Sequence, residues 1–432
     1  MKRKSIAILL VLAITITPLF VIGWQVQAEK NLRVYAPPWI HKKFPLEEVT
    51  KSFEKNHPNV NVNLEKAGKW SAPKYITEWK TGSTSFDVFV GGTGSMLGPV
   101  ISGNWLEPLD DMLHGTMAKD EFVGGFLAAG HYKKPEGNGT YYPALPFMGE
   151  VAIVGMNTEI MKKAGLWENG EPKPIPSFSD TEAFMNYFEK IKENAPVGAH
   201  VQIWDREFMQ YNYAGPILAM KGAFQEENGK GFDITSEAAH KWLGMLQEMN
   251  EKGVGEWVTT DASGYSKWKT GAAGSFYAAQ SHIMELVNVT EDESDIAYLG
   301  WPGSKENGSI IWTHSVWVPK VSPNTQLAKQ YIREAIFSAK FQQWSFNNYG
   351  KLPVMKAYFG DGITWFQDQM DTILSIANES QPIPLYADID KYLDIMKKYM
   401  VDAAFGRMDV DEALNKIRSE TEDLDFTNLR AE

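Results

Sequence analysis

Near the start of the chain, the pattern of apolar and polar positions predicts a strand, a helix and a second strand. Apolar residues alternate with polar ones over residues 32–34 and again over 60–64, and this period of two is typical of a half-buried strand. Between them, Leu46, Val49 and Phe53 fall three and four positions apart, which places them on one face of a helix. This order indicates a parallel βαβ unit and therefore an α/β fold.

Four later segments carry apolar stripes at helical spacing and predict surface helices. Polar residues suited to capping precede them, and in the last segment Asp409 and Glu412 form a predicted capping box. Such stripes serve packing, so we assign these helices no function. The stripes are formed by Phe184, Phe188 and Ile191, by Ala239, Leu243 and Leu246, by Ala328, Ile332 and Ala335, and by Ala413, Leu414 and Ile417.

Residues 145–157, LPFMGEVAIVGMN, have the composition of a buried strand but include one carboxylate, Glu150. Burying an ionised carboxylate is costly unless another group pairs with it. A core gives no reason for such a charge, whereas a ligand does. Glu150 is therefore a candidate binding residue.

A glycine-rich segment follows a third predicted strand. In SFDVFVGGTGS, residues 85–95, positions 86–90 are typical of a short buried strand, and Gly91, Gly92 and Gly94 follow it. Ligands of open α/β sheets bind at this end of the strands, where glycines let backbone N–H groups approach them. The segment contains neither GxxxxGK[ST] nor GxGxxG, the usual phosphate cradles. A ligand loop and a plain tight turn both stay open.

The first 28 residues have the features of a secretory signal peptide. Three cations at positions 2–4 precede an apolar run over about residues 6–23, and VQA ends at Ala28 as a signal peptidase site does. The run is close to the length that spans a bilayer, so an uncleaved N-terminal anchor is the alternative. We expect an exported protein, periplasmic or at the cell surface.

Composition narrows the classes of function. A chain of 432 residues with 44% apolar and 22% charged residues is typical of a soluble globular protein of two or three domains. Its net charge of −12 repels nucleic acid and anionic lipid. The absence of cysteine excludes disulfides, thiolate metal sites and a lipid-anchoring lipobox. The eight histidines include no i, i+4 pair, so we predict no metal and no cofactor.

The chain lacks the common catalytic motifs. It contains no GxSxG, no HExxH and no cysteine nucleophile. A glycoside hydrolase needs two suitably spaced carboxylates, and nothing marks such a pair among the 54 acidic residues. We therefore predict a protein that is not an enzyme and has no catalytic residues, with a secreted glycoside hydrolase as the weaker alternative.

The order of motifs resembles the extracellular solute-binding proteins of ABC importers, in the group that includes maltose-binding and other sugar-binding proteins. Six segments are similar to that family. The first contains a strand, a loop, a helix and a G-x-L-x-P-L-D-like turn, and the second is a crossing between lobes that ends in KKAGL. A cleft segment, a return crossing and two closing segments follow. The six segments span residues 85–113, 141–166, 265–286, 299–332, 349–359 and 406–417. In two places the chain departs from the family: Gly155 and Met156 stand near its usual tyrosine, and Gly271 and Ala272 follow Lys269 in the cleft segment.

The resemblance implies two α/β lobes of the periplasmic-binding-protein fold, joined by strand-like hinges around a ligand cleft. The first lobe would comprise residues 29–144 and 304–346, the second 148–300 and 349–432, with hinges near 145–150 and 300–304. Glu150 would then lie at the hinge and point into the cleft, where it could accept hydrogen bonds from sugar hydroxyls. A hinge salt bridge with a lysine is the alternative role.

We predict that the ligand is a carbohydrate, expected to be an oligosaccharide, because tryptophans and tyrosines in loops suit the apolar faces of sugar rings. Trp204, Tyr211 and Tyr213 would lie ahead of a small-residue helix. Polar candidates come from loops placed at the cleft. The predicted ligand-binding residues are Trp39, Trp70, Gly92, Thr93, Phe147, Glu150, Trp204, Asp205, Tyr213, Gln280, Trp312 and His314.

Other ligands and the partners follow from the same resemblance. A polyamine or another organic cation is the alternative, since Glu150, Asp205 and the net acidity permit it. A phosphate or sulfate fits poorly, because no Arg or Lys lies near the glycine loop. Closure of the lobes would capture the ligand for delivery to an ABC permease in the membrane. We expect a monomer without a nucleic-acid partner.

Overall fold

A computed structural model describes residues 30–431 except 67, 69, 224, 228, 285 and 287–291. The predicted signal peptide, residues 1–28, lies outside the described residues. None of the described helices is both long and apolar enough to cross a membrane.

The helices of the described residues pack around a central sheet. The α-helices are Pro38–Lys43 (α1), Leu46–Asn56 (α2), Ala72–Lys80 (α3), Gly94–Ser102 (α4), Gly124–Ala128 (α5), Thr158–Lys163 (α6), Thr181–Lys192 (α7), Arg206–Ala219 (α8), Glu237–Glu251 (α9), Asp261–Lys269 (α10), Gln280–Ile283 (α11), Ser304–Asn307 (α12), Thr325–Tyr331 (α13), Ala339–Tyr349 (α14), Met370–Glu379 (α15), Ile389–Ala404 (α16) and Val410–Glu420 (α17). Short 3-10 turns span Asp110–Met112, Gly115–Met117, Lys119–Glu121, Glu293–Asp295, Lys356–Tyr358 and Gln367–Gln369.

The strands form one mixed sheet and two small hairpins. They are Lys30–Ala36 (β1), Val60–Lys66 (β2), Val88–Gly92 (β3), Tyr132–Lys133 (β4), Thr140–Tyr141 (β5), Leu145–Asn157 (β6), Trp167–Glu168 (β7), Glu171–Pro172 (β8), Gly198–Ile203 (β9), Gly255–Val258 (β10), Ala273–Ala279 (β11), Ile296–Leu299 (β12), Ile310–Trp317 (β13) and Gln381–Pro382 (β14). Within the described residues the main sheet runs β10-β9-β11-β6-β13-β3-β1-β2, with β12 beside β6 and β14 beside β13.

The predicted βαβ unit is confirmed, and with it the α/β class. Strands β1 and β2 pair in parallel, and β1 also pairs in parallel with β3. The helix between β1 and β2 buries Leu46, Val49 and Phe53, the three residues that form its predicted apolar face. Local periodicity was sufficient here because each element buries one face against its sequence neighbours.

One predicted helix is interrupted. The stripe of Ala328, Ile332 and Ala335 predicts a continuous helix, but α13 ends at Tyr331 and a π turn covers Ile332–Ile336. The chain then restarts as α14, where the side chain of Ser338 accepts a hydrogen bond from the backbone N–H of Phe341. The cap favours a new helix start at this point. In a continuous helix the N–H of Phe341 would donate to the backbone carbonyl four residues earlier, whereas here the side chain of Ser338 accepts it.

The predicted caps are only partly correct. Asp180, and not a serine, caps α7. Asp409 caps α17 as predicted, since its carboxylate accepts from the backbone N–H groups of Asp411 and Glu412. The reciprocal half of the capping box is wrong, because the carboxylate of Glu412 lies 2.8 Å from the ammonium of Lys416 one turn later. An i, i+4 ion pair has taken the place of the back-bond.

The placement of Tyr211 and Tyr213 ahead of a helix is wrong as well, because both lie inside α8.

Strand β6 connects the two halves of the sheet. Its residues 145–151 pair with β13, whereas residues 152–157 pair with β11 and β12. The change of partner falls between Val151 and Ala152, in an unbroken strand. The first half of the sheet contains β1, β2, β3 and β13, and the second contains β9, β10, β11 and β12.

The chain returns between the halves after β12 and again after α14. Beyond α14, Leu352 pairs with Gly149 of β6, and α16 then packs on α8, α9 and α17. The last described residues run back to the first half, where Ala431 and Lys133 take part in backbone hydrogen bonds with His131 and Leu429, respectively. The lobe boundaries given above stay predictions.

Candidate functional site

A cleft of about 390 Å³ lies where β6 and β13 pass between the two halves of the sheet. Its lining residues come from α1, α4, β6 and β13, from α8, α11 and α16, and from the segments around residues 351, 382–385 and 430. Both halves of the molecule therefore contribute to it. Concave sites of this size between two structural units are typical of small-molecule binding.

Five of the predicted site residues meet in this cleft. Trp39 belongs to α1, Thr93 immediately precedes α4, Glu150 lies in β6, and Trp312 and His314 lie in β13. Trp312 is directly opposite Glu150 in the antiparallel pairing, so the two side chains share one face of the sheet. His314 lies two positions farther along the same face, with its ring centroid 4.5 Å from that of Trp39.

Glu150 is buried, with 3% of its surface exposed, and is compensated by a lysine. Its Oε1 lies 2.5 Å from Nζ of Lys351, and Ser281 donates its hydroxyl to the same oxygen. Lys351 Nζ also lies 3.1 Å from the hydroxyl of Ser281. The salt bridge considered as the alternative role of Glu150 is thus present. Because Glu150 also lines the cleft, a direct contact with ligand stays a prediction.

The electrostatics of this group keep Glu150 ionised. Burial opposes its ionisation, but the charges of Lys351 and His282, with the hydrogen bonds from Lys351 and Ser281, outweigh burial and lower the pKa of Glu150 to about 2. The ion pair joins residues from β6, from α11 and from the segment after α14. Together with Ser281, the pair therefore links three separate parts of the chain near the point where β6 changes partner.

Gln280 supports the same junction without lining the cleft. Its Oε1 accepts from the backbone N–H of Val151 at 2.6 Å, and its Nε2 donates to the carbonyl of Gly350 at 2.8 Å. The side chain is fully buried. Both polar ends of the amide are thus satisfied by backbone at the point where β6 changes partner.

His314 of β13, one of the histidines that line the cleft, is held neutral. Burial lowers the pKa of His314 to about 4, and the nearby charge of Glu150 offsets this only in part. Nδ1 of His314 lies 3.3 Å from the carbonyl of Gly91. Nδ1 then carries the proton if this contact is a hydrogen bond.

We expect this histidine to make the protein less stable in mild acid. Its pKa in the folded state lies below 6.5, so as pH falls the unfolded state takes up the proton first. The free energy of unfolding should therefore decrease between about pH 6.5 and 4, by about 2 kcal/mol for this partly exposed group. Urea unfolding at pH 7 and 4.5 measures the effect. The His314→Gln variant should lose less stability over that interval, and an unchanged pH dependence would contradict the assignment.

Two of the predicted aromatic residues pack in or against the hydrophobic core. Trp70 packs against Tyr75 and Trp317. Phe147 is fully buried and contacts Phe44 and Phe341 edge to face. Neither residue lines the cleft.

The glycines after β3 serve packing. Gly91 has a φ of +110°, a conformation that other residues rarely adopt. Gly92 lies within the strand, and a Cβ at this position would come within 1.5 Å of the ring of Trp317. The chain then enters α4 directly after Thr93. The backbone conformation accounts for Gly91 and the close approach of Trp317 accounts for Gly92, while a role of this segment in ligand binding stays a prediction.

The remaining predicted residues lie near α8 without lining the cleft. Trp204 is fully buried, and Asp205 lies between it and the helix. Tyr213 donates its hydroxyl to the carbonyl of Asp233 at 2.5 Å and points into the core. In contrast, Tyr211 lines the cleft, because residues two positions apart on a helix face different directions.

None of the four lysines and arginines among the described residues of the cleft, and only part of its aromatic wall, was predicted from the sequence. On α8, Phe208 and Tyr211 are three positions apart and share a face. Had a helix been predicted here from the sequence, this spacing could have indicated that the two rings line the cleft together. No local signal marks the others, which reach the cleft from distant parts of the chain. The further lining residues with polar or aromatic side chains are Lys43, Thr313, Arg206, Phe208, Gln210, Tyr211, His282, Lys351, Asp390 and Arg430.

Comparison with known protein families gives a match that covers more than half of the chain. A family model described as bacterial extracellular solute-binding protein matches residues 48–369. The matched region includes strands β6 and β13, which pass between the two halves, and most of the residues that line the cleft.

Solved structures share this architecture. The GacH receptor of Streptomyces glaucescens GLA.O, solved unliganded and with acarbose, is 16% identical, with 92% of this chain and 100% of that chain covered and a TM-score of 0.71. The sugar-binding protein MalE of Xanthomonas citri is 14% identical, with 91% and 96% covered and a TM-score of 0.73. An ABC transporter solute-binding protein of Thermotoga lettingae, bound to α-D-tagatose, is 15% identical, with 91% and 98% covered and a TM-score of 0.69. These similarities confirm the two-lobe periplasmic-binding-protein fold.

Proposed function

Because the chain belongs to the bacterial extracellular solute-binding protein family, we propose that it is the exported substrate-binding component of an ABC importer and captures a carbohydrate, an oligosaccharide, in its cleft. The aromatic lining carries this proposal. Trp39 and Trp312 are partly buried and line the cleft. Phe208 and Tyr211 of α8 also line it, with the ring centroids of Tyr211 and Trp312 6.2 Å apart. Sugar rings have apolar C–H faces edged by hydroxyls, which such rings and nearby polar groups can accommodate.

The cleft is also lined by polar residues suited to hydroxyls. Thr93, Gln210 and Thr313 line the same cleft, and each offers both donors and acceptors. The solved relatives named above include proteins bound to acarbose and to tagatose. Both the lining and these relatives support a carbohydrate.

The charges of the cleft do not favour the organic-cation alternative. A polyamine site needs several carboxylates directed at ammonium groups. The lining contains two, Glu150 and Asp390, and Glu150 is already paired with Lys351. Asp205, which was predicted to help, does not line the cleft.

The hydrolase alternative has a similar difficulty. A glycoside hydrolase requires one protonated carboxyl as general acid and a second carboxylate. Glu150, with a pKa of about 2, stays ionised at neutral pH, and the other lining carboxylate, Asp390, lies 3.7 Å from the guanidinium of Arg206. The proposal therefore assigns the cleft no catalytic residue, no metal and no cofactor.

Capture is proposed to occur by closure of the two lobes about β6. A ligand that contacts both lobes stabilises the closed state only by its higher affinity for that state. The closed, liganded monomer would then dock on the membrane permease. The unbroken strand at Val151 and Ala152 is the proposed pivot.

A ligand screen tests this function. We expect a neutral and acidic saccharide panel to contain a ligand that stabilises the protein by about 2.7 kcal/mol at 100 times its dissociation constant. Differential scanning fluorimetry detects the shift, small-angle scattering should show a smaller radius of gyration with ligand, and chromatography should recover the saccharide intact. Polyamines serve as the comparison set. Stabilisation by polyamines alone would overturn the carbohydrate, and breakdown of the saccharide would indicate a hydrolase.

A further inference from the structure

The charge of the cleft is opposite in sign to that of the whole protein. The chain has a net charge of −12, whereas cationic side chains among the described lining residues outnumber carboxylates by four to two. The cations are Lys43, Arg206, Lys351 and Arg430, and the carboxylates are Glu150 and Asp390. The positive charge is thus concentrated where the ligand is proposed to bind.

Arg430 is the most informative of these cations because it is 91% buried, with 9% of its surface exposed. Its Nε donates to the carbonyl of Ile383 at 2.6 Å, and its Nη1 donates to the carbonyl of Ala129 and, at 3.1 Å, to the hydroxyl of Tyr132. All these acceptors are neutral. Within the described chain no carboxylate forms an ion pair with Arg430, and its Nη2 has no hydrogen-bond partner.

A buried cation without an anion is costly, and a charged ligand group would compensate it. Two nitrogens of the guanidinium are held by the protein, which orients the group before any ligand arrives. The third is available on a residue that lines the cleft. Guanidinium N–H groups bind oxyanions more strongly than they bind neutral oxygens.

A second cation lines the cleft at the start of α8. Arg206 is the first residue of α8, a helix of 14 residues, whose N-terminus carries partial positive charge. Its guanidinium lies 3.7 Å from Asp390 and 3.9 Å from Asp394, beyond hydrogen-bond distance. These carboxylates therefore hold Arg206 only loosely.

We propose that the cleft selects an acidic saccharide, one that carries a carboxylate or another oxyanion, as in uronic acids. This inference rests on the proposed carbohydrate function and narrows its ligand class. Aromatic rings would take the sugar faces, while Arg430 with Lys43 and Arg206 would take the acidic group. The ligand's charge would thus be read from both lobes, so that an acidic sugar favours the closed state more than a neutral sugar of the same shape.

Matched ligand pairs test the proposal on the full-length protein. Uronic-acid oligosaccharides are compared with their methyl esters, and sulfated oligosaccharides with their unsulfated forms, by titration calorimetry at low ionic strength. In at least one pair the acidic form should bind about tenfold or more tightly, and added salt should reduce that preference. Equal or tighter binding of the neutral form in both pairs would overturn the acidic ligand and leave the carbohydrate function standing. Failure of every saccharide to bind would overturn both.

Two adjacent lysines provide matched variants. Lys43 lines the cleft, whereas Lys42, its neighbour in α1, is exposed and does not. Lys43→Gln should reduce the ratio of the affinities for the acidic and neutral forms several-fold. Lys42→Gln removes the same charge from the same helix and should leave the preference unchanged. If both variants reduced the preference equally, or if neither did, the result would contradict recognition of the ligand's charge within the cleft.

Discussion

Replacing Lys351 by methionine is expected to lower the free energy of unfolding by about 3 to 5 kcal/mol, a large part of the stability of an ordinary domain. Lys351 and Glu150 are both almost completely buried, with side chains 6% and 4% exposed. Without the ammonium, the carboxylate stays in the interior with Ser281 as its remaining hydrogen-bond donor among the groups described above. The substitution keeps the length of the side chain, so the lost charge and not a cavity should account for the effect.

A double-mutant cycle separates the pair from its environment. Glu150→Gln combined with Lys351→Met should recover most of the stability that the single Lys351→Met variant loses, because no uncompensated charge remains. Urea unfolding at pH 7 gives the four free energies. The exposed pair of Lys163 and Glu159, 58% and 73% exposed, is the control, and Lys163→Met should cost less than 1 kcal/mol. A similarly small loss at Lys351 would contradict a structural role for the buried pair.

The double variant Trp39→Ala and Trp312→Ala is expected to weaken saccharide binding about a thousandfold, which corresponds to about 4 kcal/mol. Aromatic residues that anchor a ligand typically contribute about 2 kcal/mol or more each. Trp39 packs beside His314, and Trp312 lies 6.2 Å from Tyr211 between ring centroids, so both lie where a sugar ring would stack. Calorimetric titration of the best saccharide of the panel measures the loss.

A pair of tryptophans outside the cleft provides the control for this variant. Trp167 and Trp365 are partly buried like the cleft pair but do not line it. Replacing both by alanine should lower stability somewhat and leave saccharide affinity within about twofold of the original protein. If the two double variants weakened binding equally, the aromatic lining would have no specific role.

These two predictions concern neighbouring parts of one structure. Glu150 and Trp312 lie opposite each other in β6 and β13, so the proposed sugar platform is attached to the strand that carries the hinge ion pair. A ligand that moves Trp312 would therefore act on the junction of Glu150, Ser281 and Lys351. If the proposed binding and closure occur, these direct contacts would link them without a longer pathway.

The sequence alone predicted much of the fold, because local periodicity reports which face of an element is buried. The parallel βαβ unit over β1, α2 and β2 and the helices α7, α9 and α17 followed from spacing and capping residues. The order of the motifs predicted the two-lobe fold. Where the prediction failed, as at the break after Tyr331, a local competitor such as the cap at Ser338 had changed the outcome.

The cleft depended on tertiary contacts that no local pattern records. A spacing of two residues separates Tyr211, which lines the cleft, from Tyr213, which does not, and only the orientation of α8 distinguishes them. Glu150 was recognisable as an anomaly in an apolar strand, yet its partner Lys351 lies 201 residues away in sequence. Neither distance nor direction between such residues is set by periodicity.

The sequence by itself therefore determined the α/β class, several helices and strands and the unusual carboxylate, since these depend on interactions between near neighbours in the chain. The tertiary structure decided which aromatic residues line the cleft and which charged side chains lie beside them. Folding brings Arg430 into hydrogen-bond contact with Ala129, 301 residues earlier in the chain, and both residues line the cleft. The electrostatic character of a cleft depends on the positions of distant charges, and those are known only after the chain has folded.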